Sequence, residues 1–90
     1  MKKIYKIKFE KRVLKKDLPN VPLSEQLTIL ARIKTLHGNP FPGGYVKLVN
    51  YTPATYRLRQ GNYRILYRVI DDMAEVRIIQ IGHRGSVYQK

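Results

Sequence analysis

Two runs with alternating side chains, 56–60 and 63–70, constrain this 90-residue chain more than any other feature. Alternation with period two predicts β-strands. Only Gly61-Asn62 separates the two runs, and a two-residue link that contains glycine predicts a tight hairpin turn. Such a turn fixes the register of the strands, so Arg59 is expected to face Arg64.

The predicted hairpin gathers arginines on one face. Like charges opposite one another weaken a sheet by a few tenths to about 1 kcal/mol per pair, so stability alone explains this arrangement poorly. An anionic ligand explains it better, although a solvated charged surface is the alternative that spacing leaves open. The expected members of this face are Arg57, Arg59, Arg64 and Arg68.

The charge balance supports an anionic partner. The chain has 18 Lys and Arg against 6 Asp and Glu, a formal net charge of +12. An excess of this size favours phosphate backbones or an acidic protein. Lysines dominate residues 1–17 and arginines dominate residues 51–90. We interpret the lysines as a source of general electrostatic attraction to an anionic partner. The guanidinium group of arginine is a planar fork that matches phosphate oxygens, so we interpret the arginines as the binding site.

Several classes of protein are not expected. The chain has no cysteine for disulfides or thiolate metal ligands, and no apolar run approaches the roughly 20 residues of a membrane span. It contains neither a paired catalytic carboxylate motif nor a nucleotide-binding glycine loop. We therefore expect a soluble cytoplasmic protein without a membrane partner, a cofactor or a catalytic metal, forming one domain over residues 1–90.

The order of elements predicts an α+β fold. Residues 5–9 alternate as a strand, and residues 13–18 have the spacing of a short helix. Pro- and Gly-rich sequence follows at 39–55, with a possible extended piece at 45–49, and a third C-terminal strand at 75–81 follows a turn near 71–74. We expect a helix pair packed on one face of an antiparallel sheet completed by a three-strand meander.

Two apolar patterns define the expected core. The second helix is predicted from apolar residues three and four positions apart, namely Leu23, Leu27, Leu30, Ile33 and Leu36. The helix-facing side of the sheet is expected to carry Tyr56, Leu58, Ile65, Tyr67 and Val69.

The C-terminal residues complete the candidate site. Arg84 follows the last strand, and it joins the arginine face if residues 82–84 lie alongside 62–64, which depends on the length of the preceding turn. His83 is the nearby side chain that exchanges protons close to neutral pH. Tyr88 can either pack on the sheet edge or stack on a nucleobase. Lys47, in the extended piece, is a further candidate RNA contact.

These residues resemble a known family. The pattern Tyr-Arg-Leu-Arg at 56–59, Tyr-Arg-Ile-Leu-Tyr at 63–67, Gly-His-Arg at 82–84 and Val-Tyr at 87–88 is similar to the RelE-like toxins of type II toxin–antitoxin systems. The similarity covers nearly the whole chain. The parent superfamily also includes ParE-like inhibitors of DNA gyrase.

The resemblance implies an activity. RelE-like toxins are metal-independent endoribonucleases that enter the ribosomal A site, inhibit translation by cutting the messenger, and leave 2′,3′-cyclic phosphate and 5′-hydroxyl ends. By position, the family's basic hairpin residues correspond to Arg57, Arg59 and Arg64. Arg84 corresponds to its arginine after the last strand, and Tyr88 to a C-terminal tyrosine that stacks on the base as a candidate general base.

The chain departs from the family pattern at Arg57 and Arg59, where better-known relatives carry lysines. Arginine gives up a proton reluctantly, so the general acid is in question. Our hypothesis is that His83 supplies or shares that role. The resemblance also implies an acidic RelB-like antitoxin as partner, and no homo-oligomer without it. A gyrase inhibitor and a nonenzymatic nucleic-acid-binding module are the alternatives.

Overall fold

The computed structural model describes residues 3–84. Its strands are β1 (Lys6–Phe9), β2 (Val46–Lys47), β3 (Tyr56–Gln60), β4 (Tyr63–Ile70) and β5 (Glu75–His83). They form one five-stranded sheet in the order β1-β5-β4-β3-β2. The predicted α+β class and the three-strand meander β3-β4-β5 are confirmed. The predicted extended piece forms the short edge strand β2.

The sheet is mixed, which corrects the expectation of an antiparallel sheet. β1 pairs with β5 in parallel, with Lys6 opposite Glu75 and Phe9 opposite Ile78. The other three pairs of strands are antiparallel. A parallel neighbour needs a long crossover connection, and here almost the whole chain lies between β1 and β5.

The helices that follow β1 are less regular than predicted. The first helical segment is a π-helical turn, Val13–Asp17, followed by a 3-10 turn, Leu18–Asn20. The second is α1 (Leu23–Lys34), which ends in a 3-10 turn at Thr35–His37. No helix within residues 3–84 is long and apolar enough to cross a membrane.

The predicted apolar stripe of α1 is wrong at its beginning. Leu23 and Leu27 are 70% and 62% exposed, whereas Ile29, Ile33 and Leu36 are at most 2% exposed. The helix therefore meets the sheet along the line of Ile29, Ile33 and Leu36, which also has helical spacing. The chain has more apolar residues on α1 than one face can hold, so periodicity did not identify the buried subset.

The helix-facing side of the sheet is as predicted. Leu58, Ile65 and Tyr67 are fully buried, and Tyr56 and Val69 pack against this core. The hydroxyl of Tyr67 donates a 2.7 Å hydrogen bond to the carbonyl oxygen of Pro40. This bond ties the Pro- and Gly-rich loop to the centre of the sheet.

Both predicted turns of the meander are present. Gly61 has φ +60, the positive value required at the first central position of a II′ hairpin turn, and Gln60 pairs with Tyr63 as expected. The second turn is a 3-10 turn at Asp71–Met73, closed by Ala74 in the left-handed conformation. β5 runs to His83, two residues beyond its predicted end.

Candidate nucleic-acid interface

The side of the sheet away from the helices is dominated by cations. Arg59 pairs with Arg64 and Arg57 with Leu66, so the predicted hairpin register is confirmed. Strand alternation extends this surface across β1 and β5. We call it the basic face, and its cations on the strands are Lys6, Lys8, Arg57, Arg59, Arg64, Arg68 and Arg77.

Arg64 holds the central position of the basic face. It lies between Arg59 on β3 and Gly82 on β5, and Gly82 contributes no side chain. The Nε and Nη1 atoms of Arg64 are buried and donate to no acceptor in residues 3–84. An unsatisfied buried donor costs about 1–3 kcal/mol, and more when it is charged. Arg64 therefore presents donors that the described part of the protein does not use.

The register of β5 decides where Arg84 lies. A four-residue turn pairs Ile70 with Glu75, and a register shift between Leu66 and Tyr67 then inserts one extra residue in β5. The backbone N–H of Arg84 donates a 2.8 Å hydrogen bond to the Asn62 carbonyl oxygen. Residues 82–84 thus lie alongside 62–64, which was one of the two arrangements left open. Alternation places Arg84 on the same side as Arg64.

His83 is not brought together with the arginines. It is paired with Tyr63, and the two rings meet edge to face with centroids 5.6 Å apart at 84°. Tyr63 packs against the core on the helix side of the sheet. Burial raises the pKa of the Tyr63 phenol, and the neighbouring Glu25 carboxylate raises it further. Tyr63 therefore keeps its phenolic proton at pH 7.

Two predicted RNA contacts have different positions. Arg68 lies on the basic face opposite Arg77, with its Nε 3.5 Å from the Thr55 hydroxyl oxygen, the long limit of a hydrogen bond. Lys47 is exposed but pairs with Tyr56, whose ring faces the helix side. Lys47 therefore lies at the sheet edge and not on the basic face.

Arg77 is a member of the basic face that sequence reasoning missed. Its Nη2 lies 2.7 Å from the Glu75 Oε2, and its Nε donates to the same oxygen at 2.8 Å. Glu75 is only 2% exposed. The available signal was the spacing of two residues, which puts an acid and a base on one face of a strand. The charge of Arg77 is balanced by protein, in contrast to that of Arg64.

Tyr88 falls outside the described residues, so its role as a stacking group or general base stays a prediction. The described part of the site accordingly consists of cations. It can hold an anion through forked N–H donors, as arginines hold phosphate groups.

Comparison with known proteins assigns this chain to a family. Residues 20–88 match the ParE toxin family of type II toxin–antitoxin systems, parDE. The chain is 32% identical over 87 residues to a candidate toxin named RelE1 from Methanocaldococcus jannaschii, with 94% of this chain and 96% of the relative covered.

Solved structures agree with the sequence matches. RelE from the Pyrococcus horikoshii OT3 RelE–RelB complex has a TM-score of 0.78 at 27% identity, covering 93% of this chain and 99% of that one. The Mycobacterium tuberculosis RelBE2 toxin–antitoxin complex gives 0.79 at 26% identity, covering 90% and 99%. The chain is thus a toxin of a type II toxin–antitoxin system, and it belongs to the RelE/ParE superfamily.

Arg64→Met should stabilise the free protein, because it removes buried N–H donors that have no acceptor among residues 3–84. We expect a gain of about 1–3 kcal/mol in the free energy of unfolding, measured with urea. Arg77→Met is the matched control, since it should cost about 1–3 kcal/mol by leaving the buried Glu75 carboxylate without its partner. Equal losses in both variants would show that Arg64 is satisfied within the protein.

Proposed function

We propose that this toxin is a ribosome-dependent, metal-independent endoribonuclease that acts in the cytoplasm and cuts messenger RNA in the ribosomal A site. One observation carries the proposal, namely the half-buried Arg64 guanidinium, whose buried Nε and Nη1 atoms have no acceptor among residues 3–84. A phosphodiester supplies the two or more anionic acceptors that such a fork fits. The similarity to RelE-named proteins supports RNA as the source of that phosphate.

The reaction follows from where charge develops. The 2′-hydroxyl of the RNA loses its proton and its oxygen attacks the adjacent phosphorus, while the bond from phosphorus to the 5′-oxygen breaks. The products are a 2′,3′-cyclic phosphate and a 5′-hydroxyl, which gains a proton. Negative charge grows on the nonbridging oxygens in between, and Arg64 with Arg84 would stabilise it.

The remaining residues would position the substrate. Arg57 and Arg59 border Arg64 on β3, and Arg68 extends the same face along β4. They would hold the phosphates that flank the scissile one. Tyr88 would stack on a base and accept the 2′-proton. The lysines of β1 and the net charge of +12 favour approach to the polyanionic ribosome.

A second candidate function is inhibition of DNA gyrase. The matching family description, which names ParE, favours it. The scaffold itself does not decide between the targets, because one fold hosts several functions. The unsatisfied donors of Arg64 favour a phosphate ligand. A gyrase supercoiling assay on the same preparation separates the two candidates, and we expect no inhibition.

Cleavage of messenger on programmed ribosomes tests the proposal directly. We expect cuts within the A-site codon that bear cyclic phosphate. Arg64→Ala and Arg84→Ala should each lower kcat by about 10²-fold or more, because each removes donors aimed at the developing charge. Ribosome binding, measured by sedimentation, should fall by roughly tenfold at most.

Lys34→Ala is the control for this experiment, since Lys34 ends α1 in the helical layer and carries the same charge. It should cleave like the wild type. A wild-type protein that binds ribosomes but leaves the messenger intact contradicts the nuclease proposal and leaves the nonenzymatic binding module.

The proton donor to the 5′-oxygen is tested by His83→Ala. Because the His83 ring contacts Tyr63 on the helix side of the sheet, we expect the pH dependence of single-turnover cleavage to superimpose on that of the wild type. Loss of one limb of the profile in the variant would instead support the hypothesis that His83 is the general acid.

We propose an acidic RelB-like antitoxin as the partner that neutralises the toxin. The relatives from P. horikoshii and M. tuberculosis were solved as toxin–antitoxin complexes. Exposed apolar side chains on α1, with Leu23 at 70% and Leu27 at 62%, offer contact area for such a partner. Complementary charge speeds association, whereas buried contact area determines how long the complex lasts.

Co-expression with the adjacent acidic reading frame should yield a complex by gel filtration. Leu23→Ser combined with Leu27→Ser should weaken the complex by tenfold or more in isothermal titration, because apolar area is lost. The double variant should keep ribosome-dependent cleavage. A toxin that elutes as a monomer in both low and high salt would contradict the partner proposal.

A further inference from the structure

The end of β5 that carries the site extends past its neighbour on one side. β1 pairs with β5 only as far as Phe9 opposite Ile78, and the Glu10 N–H closes the pairing on the Ile78 carbonyl oxygen at 2.9 Å. β5 continues to His83. Backbone N–H groups on that edge beyond Ile78 need another acceptor once buried.

Asp17 supplies one. Its Oδ2 accepts a 2.9 Å hydrogen bond from the buried backbone N–H of Ile81, 64 positions away in sequence. Asp17 is only 7% exposed, and Arg12 Nη2 lies 3.2 Å from its other carboxylate oxygen. The charged acceptor makes this hydrogen bond stronger than one between neutral groups. A side chain from the helical layer thus replaces the missing strand.

The hydrogen bond between Ile81 and Asp17 lies next to the part of β5 that borders Arg64. Ile81 follows the register shift of β5 and directly precedes Gly82, which pairs with Arg64. Side chains alternate across a strand, so a slip of one residue moves every following side chain to the opposite face. β4 holds this end of β5 on one side, through pairing that continues to the Arg84 N–H, and Asp17 holds it on the other, open side.

We infer that Asp17 is a positioning residue of the basic face. It accepts the Ile81 N–H and so holds the end of β5 in the register that sets Arg84 beside Arg64. It does not contact the RNA. The inference deepens the proposed nuclease function, on which its catalytic consequence rests.

Three substitutions of Asp17 separate positioning from folding. Asp17→Ala removes the acceptor, and we expect kcat on programmed ribosomes to fall by about tenfold or more, with ribosome affinity within about threefold of wild type. Asp17→Asn keeps an acceptor oxygen at the same distance and should retain most of kcat. Asp17→Glu keeps the charge but moves the oxygens by one methylene, so it should lose activity while folding.

The control is Ile29→Val, which loosens the core under α1 and keeps the hydrogen bond between Asp17 and Ile81. It should lower stability by about 0.5–1.5 kcal/mol and leave kcat unchanged. Amide hydrogen exchange gives the structural readout. Ile81 should exchange about tenfold faster in Asp17→Ala than in the control, and the amide shifts of residues 82–84 should move.

Named outcomes overturn the inference. One is a wild-type kcat in Asp17→Ala and Asp17→Glu although Ile81 protection is lost, and another is an equal loss of kcat in Ile29→Val. Failure of Asp17→Asn to rescue activity is a third. If the wild type does not cleave on ribosomes, the proposed function fails instead, and Ile81 exchange with the shifts of residues 82–84 still decides whether Asp17 holds the strand.

Discussion

The register between β4 and β5 is the constraint on which the basic face depends. The four-residue turn after β4 would by itself give one pairing along the whole length, but the extra residue in β5 changes it beyond Tyr67. Val76, Ile78 and Ile81 can consequently all face the helices, although the last two are three positions apart. The same irregularity leaves Gly82 opposite Arg64. One inserted residue therefore serves the core and the site together.

The part of this arrangement that local sequence determines was predictable. Gly61 fixes the hairpin turn. The turn in turn fixes the register of β3 against β4, from Gln60 opposite Tyr63 to Tyr56 opposite Tyr67. The shift in β5 had a signal as well, since Ile78-Ile79-x-Ile81 breaks strict alternation. The position of Arg84 could not be derived, because one residue more or less in the turn, or one extra residue in β5, moves its side chain to the opposite face.

Long-range choices were the ones that sequence patterns missed. β1 pairs in parallel because it adds to the β5 edge of the meander. The sequence of this four-residue strand does not indicate whether its neighbour runs parallel or antiparallel to it. The buried side of α1 depends on the sheet beneath it, so Leu27 looked as suitable as Ile29. No local pattern marks Asp17 as a hydrogen-bond acceptor, because that role requires Ile81, 64 positions further along.

Two arginines of the basic face, Arg77 and Arg64, differ in whether the described part of the protein supplies them with an acceptor. Arg77 is held by the buried carboxylate of Glu75, an arrangement that satisfies the protein. Arg64 is half-buried nearby, and its buried Nε and Nη1 atoms have no acceptor among residues 3–84, an arrangement that costs stability. The net charge of the protein attracts any polyanion, and it does not distinguish Arg64 from Arg77. The absence of an acceptor for Arg64 among residues 3–84, rather than the +12 charge, is therefore the stronger reason to regard Arg64 as the centre of the candidate site.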